Sequence, residues 1–436
     1  MKLKDSIIGF IIGDALGVPA EFIGRATLKN SPITDMEEYG THYQPKGTWS
    51  DDTSMTIATI DSIINKKGID YNDIMNNFCK WAKNNEYTAT DKCFDIGNTC
   101  SNAISRFNGN NALECGENST YSNGNGSLMR ILPIVFYSYY KNDMNEYELV
   151  KNISSLTHSH EISILGCYLY MKYIHFIIDG FDKYKSYEML RSLDLSNFNT
   201  ESIHVYDRIL NNQINRYKES EIKSSGYVVD TLEAVLWTIL NTNNFKESIL
   251  TAVNLGDDTD TVAAITGGIS GIIYGLNNIP SDWIDDLKKN DYIIKLCEEY
   301  EAFLNNEKKG DLNMINLDKE ILENTINDLK NNPNACTTLG GMQSTDGVFT
   351  IQESNPGQQL NEFIEYLGKN ELLDRQYLDN YEKIRDKKIE DYTYDETLTA
   401  LTNIIRGDRF VSGQIYDCFK NGILLKLVEK LKSFTE

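Results

Sequence analysis

Two short stretches of the chain concentrate oxygen donors. Residues 47–55, GTWSDDTSM, set Asp51 and Asp52 side by side between Ser50 and Thr53, just ahead of an apolar run. Residues 254–264, NLGDDTDTVAA, repeat the arrangement with Asp257, Asp258, Asp260 and Thr261. A helix start is satisfied by one Ser, Thr, Asp or Asn accepting from its free N–H groups. Several carboxylates at one start exceed that need, and they repel one another unless protons or cations intervene. Taken alone, each stretch reads first as a cap. Taken together they read as a metal site, on condition that they meet in space. The donors are hard oxygens with no Cys or His beside them, which favours Mg²⁺, Mn²⁺ or Ca²⁺ over zinc. Neither stretch is an EF-hand loop: its sixth position is Thr56 or Val262 where Gly is required, and its twelfth is Ser62 or Gly268 where Glu is required.

The elements that must position these groups are helical. Met55, Ile57, Ala58, Ile60, Ile63 and Ile64 follow the first pair at helical spacing. The second cluster opens TVAAITGGISGIIYG, a small-residue helix suited to tight packing. Further helical patterns are expected near 71–84, 95–107, 127–142, 160–179, 228–241 and 291–305. Gly9, Gly13 and Gly17 recur at i+4 and would let the first helix approach another closely. Alternating strand patterns are scarce, and no GxGxxG follows a strand, which argues against a dinucleotide-binding sheet.

At 436 residues the chain has room for two or three domains. Composition shifts after residue 305. NNEKKGD (305–311) reads as a linker, 315–330 as a helix and 331–347 as irregular, with helical periodicity resuming from 357. The expected division is a domain at 1–305 and, at 306–436, a linker and a small helical domain. The N-terminus is weakly basic and then apolar, but Asp5 and Asp14 interrupt it, unlike a signal sequence. No stretch approaches a membrane span. The eight cysteines are scattered without a CxxC pair and read as buried thiols of a cytoplasmic protein. A net charge of −22 opposes generic binding to nucleic acid or an anionic membrane.

Six blocks in order carry a resemblance: GDALGVPAEF (13–22), GTWSDDTSM (47–55), DIGNT (95–99), SNGNGSLMR (122–130), THSH (157–160) and GDDTDT (256–261). Together they resemble the ADP-ribosylglycohydrolases over residues 1 to about 280. The resemblance implies an all-α, compact multi-helix bundle around a central dinuclear magnesium site, with Mn²⁺ as a possible substitute. It implies metal ligands at Ser50, Asp51, Asp52, Asp258, Asp260 and Thr261. Ser50 departs from the family's usual Thr, and a serine hydroxyl ligates equally well. Asp257 stands where Gly is common, supporting a ligand or facing solvent. Glu21 matches a Glu that acts near the scissile bond; by itself it would read as surface charge. Glu21 or a metal-ligating Asp, namely Asp52, is expected to shuttle the proton. Gly97, Asn98, Thr99, Ser122, Asn123, Asn125, Gly126, Ser127 and His158 match the segments that line ADP-ribose. Gly124 and Gly126 would let backbone approach a ligand, and a helix from near Ser127 would aim N–H groups at an anion. On its own such a loop is more often a plain cap. Asp14 and Arg130 read as structural, the latter as an ion-pair partner. His160 stays open, and His42, His175 and His204 sit in no recognisable pattern.

The function so implied is hydrolysis of the glycosidic bond at C1″ of the distal ribose, freeing ADP-ribose from a modified acceptor. Two rivals remain: a module that binds ADP-ribose without cleaving it, and a hydrolase of another small N- or O-glycoside. The acceptor is open among arginine, serine, other side chains, nucleic acid and small molecules. In the C-terminal region, Leu398, Leu401, Ile404 and Ile405 form one apolar face; Ile423, Leu424, Leu427, Val428 and Leu431 form another. Phe363 and Tyr366 are expected in its core, and Arg406 to Phe410 as a charged corner. Specificity or recognition of a protein partner is the expected role.

Overall fold

The computed structural model describes residues 2–141, 145–311, 317–339, 353–370, 372–374, 377–408 and 413–434. The chain divides into two units, Met1–Lys309 and Gly310–Glu436. The first is all-helical among the described residues. Its centre is α1 (Leu3–Gly17), apolar on every side and buried along almost its whole length. The helices that matter for the site are α2 (Asp51–Lys66), α3 (Tyr71–Asn84), α4 (Asn98–Arg106), α5 (Leu132–Tyr140), α6 (Glu146–Ser155), α7 (Glu161–Ile178), α8 (Val228–Asn241), α9 (Phe245–Asn254), α10 (Thr259–Tyr274) and α11 (Asn290–Asp311).

The glycine spacing does what it predicts. A Cβ at Gly13 would stand 2.0 Å from the Ala263 carbonyl oxygen, one at Gly9 2.4 Å from that of Gly267, and one at Gly17 2.2 Å from Asp260 Cα. Only glycine allows α1 and α10 to lie backbone against backbone. That crossing carries Asp14 to the start of α10. Ser6 adds a bond from its hydroxyl to the Gly268 carbonyl, 2.7 Å.

Three local expectations change. The helix expected from Ser127 begins at Leu132, because 127–130 form turns and Pro133 sits in the first helical turn, where its missing N–H costs nothing. Ser127 is therefore no helix N-terminus. The run 305–311 is the end of α11 and not an extended linker; Glu307, Lys308 and Lys309 are good helix formers and no Pro interrupts them. Helix α7 is long and apolar enough to cross a membrane, contrary to the expectation, but 67% of it is buried inside the first unit, as befits a core helix.

The second unit packs α12 (Lys319–Asn331), α13 (Gln358–Lys369), α14 (Tyr394–Gly407) and α15 (Ile423–Lys432) around Leu322, Leu360, Phe363, Leu401, Leu427 and Leu431. Within 331–347, expected irregular, β1 (Cys336–Leu339) forms a two-stranded antiparallel ribbon with β2 (Glu353–Pro356) further on; residues 340–347 lie outside those described. Tyr366 is only partly buried, its hydroxyl accepting from the Asp318 N–H at 2.9 Å. Ile423 opens α15 and is exposed, unlike the rest of its expected face. Of the expected corner, Arg409 and Phe410 lie outside the described residues. Arg406 lies over the Tyr377 ring, and Asp408 accepts from Ser354 Oγ and the Ile415 N–H.

Candidate active site and metal centre

The site forms where α1, α2 and α10 meet. Ser50 caps α2, its Oγ accepting from the Asp52 N–H at 3.3 Å. Asp14, reaching across from α1, accepts from the Ser50 N–H (2.9 Å), the Thr53 N–H (3.1 Å) and Thr53 Oγ1 (2.6 Å). The capping is thus shared between Ser50 and a residue from another helix, which leaves the carboxylates of Asp51 and Asp52 surplus to it. Asp258 stands at the cap position of α10, and Thr259 Oγ1 ties that start to the Gly17 carbonyl at 2.7 Å.

The two acidic stretches do meet. Oxygens of Asp14, Asp52 and Asp260 lie within 4.8 Å of one another, and those of Glu21, Asp258 and Asp260 form a second such group. Asp260 belongs to both. Thr261 Oγ1 faces Asp52 Oδ1 at 3.4 Å. Ser50, Asp51, Asp52, Asp260 and Thr261 are buried, while Asp258 is half-buried. Asp257 turns the chain with φ 62° and faces solvent.

The electrostatics are those of buried carboxylates crowded together. Burial first, then the charges of Asp95, Asp14 and Asp258, push Asp51 well above the ordinary carboxylate range. Burial and neighbouring aspartates do the same to Asp52, and burial with Glu21 and Asp52 to Asp260. Burial raises Asp258 despite donors from Asn125 and Thr261. Asp14 is raised to about 6 by burial, against the donors of Thr53 and Ser50. Asp52 Oδ2 and Asp260 Oδ1 are buried without a hydrogen-bond partner among the described residues. Such orphans are rare and costly. Hard oxygens, crowded negative charge and unpartnered lone pairs fit divalent cations of the magnesium class.

Glu21 is brought in by the loop after α1. It is buried, and burial with the charges of Asp95 and Asp258 pushes it up to about 11. Its carboxylate pairs with His42 Nε2, and oxygens or nitrogens of Glu21, His42 and Asp95 form a third close group. His42 and Asp95 went unrecognised in the sequence. Asp95 opens the DIGNT block, which was its one signal; His42 had none, since it sits alone in a Tyr-Gly-Thr-His-Tyr turn.

The expected ADP-ribose residues separate into two kinds. Gly97 and Asn98 are exposed at the start of α4 and Thr99 is half-buried. Ser122 donates to Glu117 Oε2 (2.7 Å), and Asn123 accepts from Ser163 Oγ (3.0 Å). Asn125 Nδ2 donates to Asp258 Oδ2 (2.7 Å) and Thr231 Oγ1 (2.9 Å), so this amide orients a carboxylate. Ser127 is fully buried against Cys167 and Ser154. His158 holds Thr157 Oγ1 at 2.8 Å, and burial followed by the charge of Arg130 lowers it to about 3, so it is neutral. A Cβ at Gly126 would strike His158 Cε1 at 2.7 Å, so the glycine is required by packing. His160 caps α7 through the Ile162 N–H. Arg130 is structural, but no carboxylate pairs with it among the described residues: it donates to the Ile153 carbonyl and Thr157 Oγ1 and lies over the Phe78 ring.

A family model described as ADP-ribosylglycohydrolase matches residues 1–311, and one described as a family of unknown function matches 317–436. Over 301 residues the chain is 34% identical to ADP-ribosylarginine hydrolase Tri1 of Serratia proteamaculans, covering 68% of this chain and 78% of that protein. Over 295 residues it is 28% identical to the ADP-ribosyl-(dinitrogen reductase) glycohydrolase of Rhodospirillum rubrum, covering 65% of this chain and 88% of that one. A solved structure titled ADP-ribosylglycohydrolase-related protein complex superposes with a TM-score of 0.59 at 25% identity, covering 70% of this chain and 98% of that chain.

Proposed function

This chain belongs to the ADP-ribosylglycohydrolase family, and we propose that it is a magnesium-dependent hydrolase cleaving the glycosidic bond at C1″ of the distal ribose to free ADP-ribose from a modified acceptor. The observation that carries this reading is the pair of oxygen clusters sharing Asp260, with Asp52 Oδ2 and Asp260 Oδ1 left unpartnered. Ser50, Asp51, Asp52, Asp258, Asp260 and Thr261 would hold two Mg²⁺ ions, or Mn²⁺ in their place. Bound there, the ions would supply Lewis acidity towards the ribose hydroxyls and a lowered pKa for water.

The chain's own residues do the rest. Asn125 fixes the Asp258 carboxylate. Glu21, buried beside Asp258 and Asp260, is placed to move a proton between the reacting groups and the leaving acceptor, with Asp52 as the alternative shuttle. The edge formed by exposed Gly97 and Asn98 and half-buried Thr99, with the backbone of loop 122–127 beside the neutral His158, lines the ADP-ribose. The leaving bond breaks through an oxocarbenium-like state, as in glycoside hydrolysis generally.

The name of the Serratia proteamaculans relative makes ADP-ribosylarginine the first acceptor to try. The proposed compartment is the cytoplasm, which eight unpaired thiols support. The C-terminal unit is proposed to recognise a protein partner or select the acceptor.

The test is release of free ADP-ribose from a panel of ADP-ribosylated arginine, serine and small-molecule acceptors, with Mg²⁺ or with EDTA. Wild type should release it only with the metal, and Asp260→Asn should release none. Undiminished activity of Asp260→Asn, or in EDTA, overturns the metal mechanism. A thermal shift by ADP-ribose with no release from any acceptor leaves the binding-module reading standing instead.

A further inference from the structure

We infer that His42 is a positioning residue for the reaction: its Nε2 holds the Glu21 carboxylate towards Asp258 and Asp260. The inference rests on the hydrolase reading above, in which Glu21 moves a proton.

The chain is folded to make this pairing. Phe22 has φ 64°, left-handed backbone that a residue with a Cβ adopts only at a cost. The kink turns Phe22 outward, 68% exposed, and Glu21 inward, 5% exposed. The Phe22 N–H donates to the Asp257 carbonyl at 2.7 Å, which locks the kink against the α10 start. A second loop is then laid over it. The Thr41 N–H donates to the Pro19 carbonyl (3.0 Å) and Thr41 Oγ1 to the Glu21 carbonyl (2.7 Å). Tyr39 and Gln44 close that loop as an isolated bridge, with Tyr39 and Tyr43 also at positive φ. His42 sits at its tip, its ring flanked by Phe22 (centroids 5.9 Å apart) and Phe94 (5.3 Å). Both main chains are fixed, the imidazole is held by two rings, and its Nε2 meets the Glu21 Oε2. A glutamate side chain has three free torsions, and a misplacement of about 1 Å can cost about 100-fold in rate. The strained loops spend stability to hold one carboxylate.

Two substitutions separate the bond from the packing. His42→Phe keeps a ring between Phe22 and Phe94 and loses the nitrogen. His42→Gln keeps an N–H near the Nε2 position and loses the ring. His42→Phe should lower kcat about 10- to 100-fold with KM changed less than about threefold, while His42→Gln recovers most of kcat. In a Glu21→Gln background His42→Phe should add no further loss. Crystals of His42→Phe should show the Glu21 carboxylate turned away from Asp258, and those of His42→Gln should keep it in place. Unchanged kcat in His42→Phe, a loss in His42→Gln as large as in His42→Phe, or an unmoved Glu21 overturns the inference. A wild-type protein that frees no ADP-ribose from any acceptor sinks the proposed reaction instead; the Glu21 orientation in the two variants still decides the positioning.

Discussion

Buried acid groups are destabilising until something neutralises them, and at the residue scale that tension defines this site. Asp51, Asp52 and Asp260 hold protons in the folded chain at pH values where an unfolded aspartate, ordinary value 3.8, has lost them. Their folded-state pKa is raised, so the stability they allow is present below about pH 4 and is lost as pH rises; for Asp14 the loss runs through about 6. The metal-free protein should therefore melt at a lower temperature at pH 8 than at pH 5. Mg²⁺ should raise the melting temperature more at pH 8, where it no longer competes with protons. Scanning fluorimetry with MgCl₂ or EDTA at the two pH values checks both signs. Asn125 gives a second prediction. Without its amide Asp258 is free to turn, so Asn125→Ala should weaken Mg²⁺ binding about tenfold by calorimetry. Unaltered affinity would return Asn125 to the ligand-contact role expected from the sequence. The aspartates were legible by type and crowding. His42 and Asp95 were not, because their relation to Glu21 exists only where three separate loops converge.

Among elements, the contact that matters is α1 against α10. The glycines and Ala263 bring the backbones so close that no Cβ fits at Gly13. Gly13→Ala forces the helices apart, with a cost of about 3 kcal/mol or more. Urea unfolding should show that loss of midpoint, and Mg²⁺ binding should weaken with it, since Asp14 and Asp260 ride on the two helices. A variant as stable as wild type would mean that the crossing tolerates a side chain. Here the sequence spoke clearly on one partner: the i+4 glycines announced a close approach, and the small-residue run after Asp260 announced tight packing. It did not say that each was the other's partner. Turn chemistry misled at Ser127, where the Gly-Asn loop imitates a cap while the true helix start, Leu132 ahead of Pro133, lies five residues on.

For the whole molecule, each unit buries a core of its own, one built on Ile7, Ile57 and Ile265, the other on Phe363, Leu401 and Leu427. The ligand candidates all lie in the first unit. A fragment ending at Asp311 should therefore fold cooperatively, bind Mg²⁺ and cleave a small ADP-ribosylated acceptor at close to the full-length rate. Protein acceptors should separate the two forms if the second unit recognises them. Loss of activity on the small acceptor would make the C-terminal unit part of the catalytic apparatus, and equal activity on every acceptor would remove its role in selection.

By itself the sequence determined the helical class, the change of character after the first three hundred residues and the crowded oxygen-donor residues proposed here as metal ligands. Those follow from local periodicity and local chemistry, which a chain carries in its order. Tertiary structure alone decided that Asp260 is shared by two oxygen clusters, that Asp14 joins Ser50 in capping the helix after it, and that His42 meets Glu21. Each of these depends on distances between residues far apart in the chain, and those distances are set by how closely helices pack, not by what stands next to what.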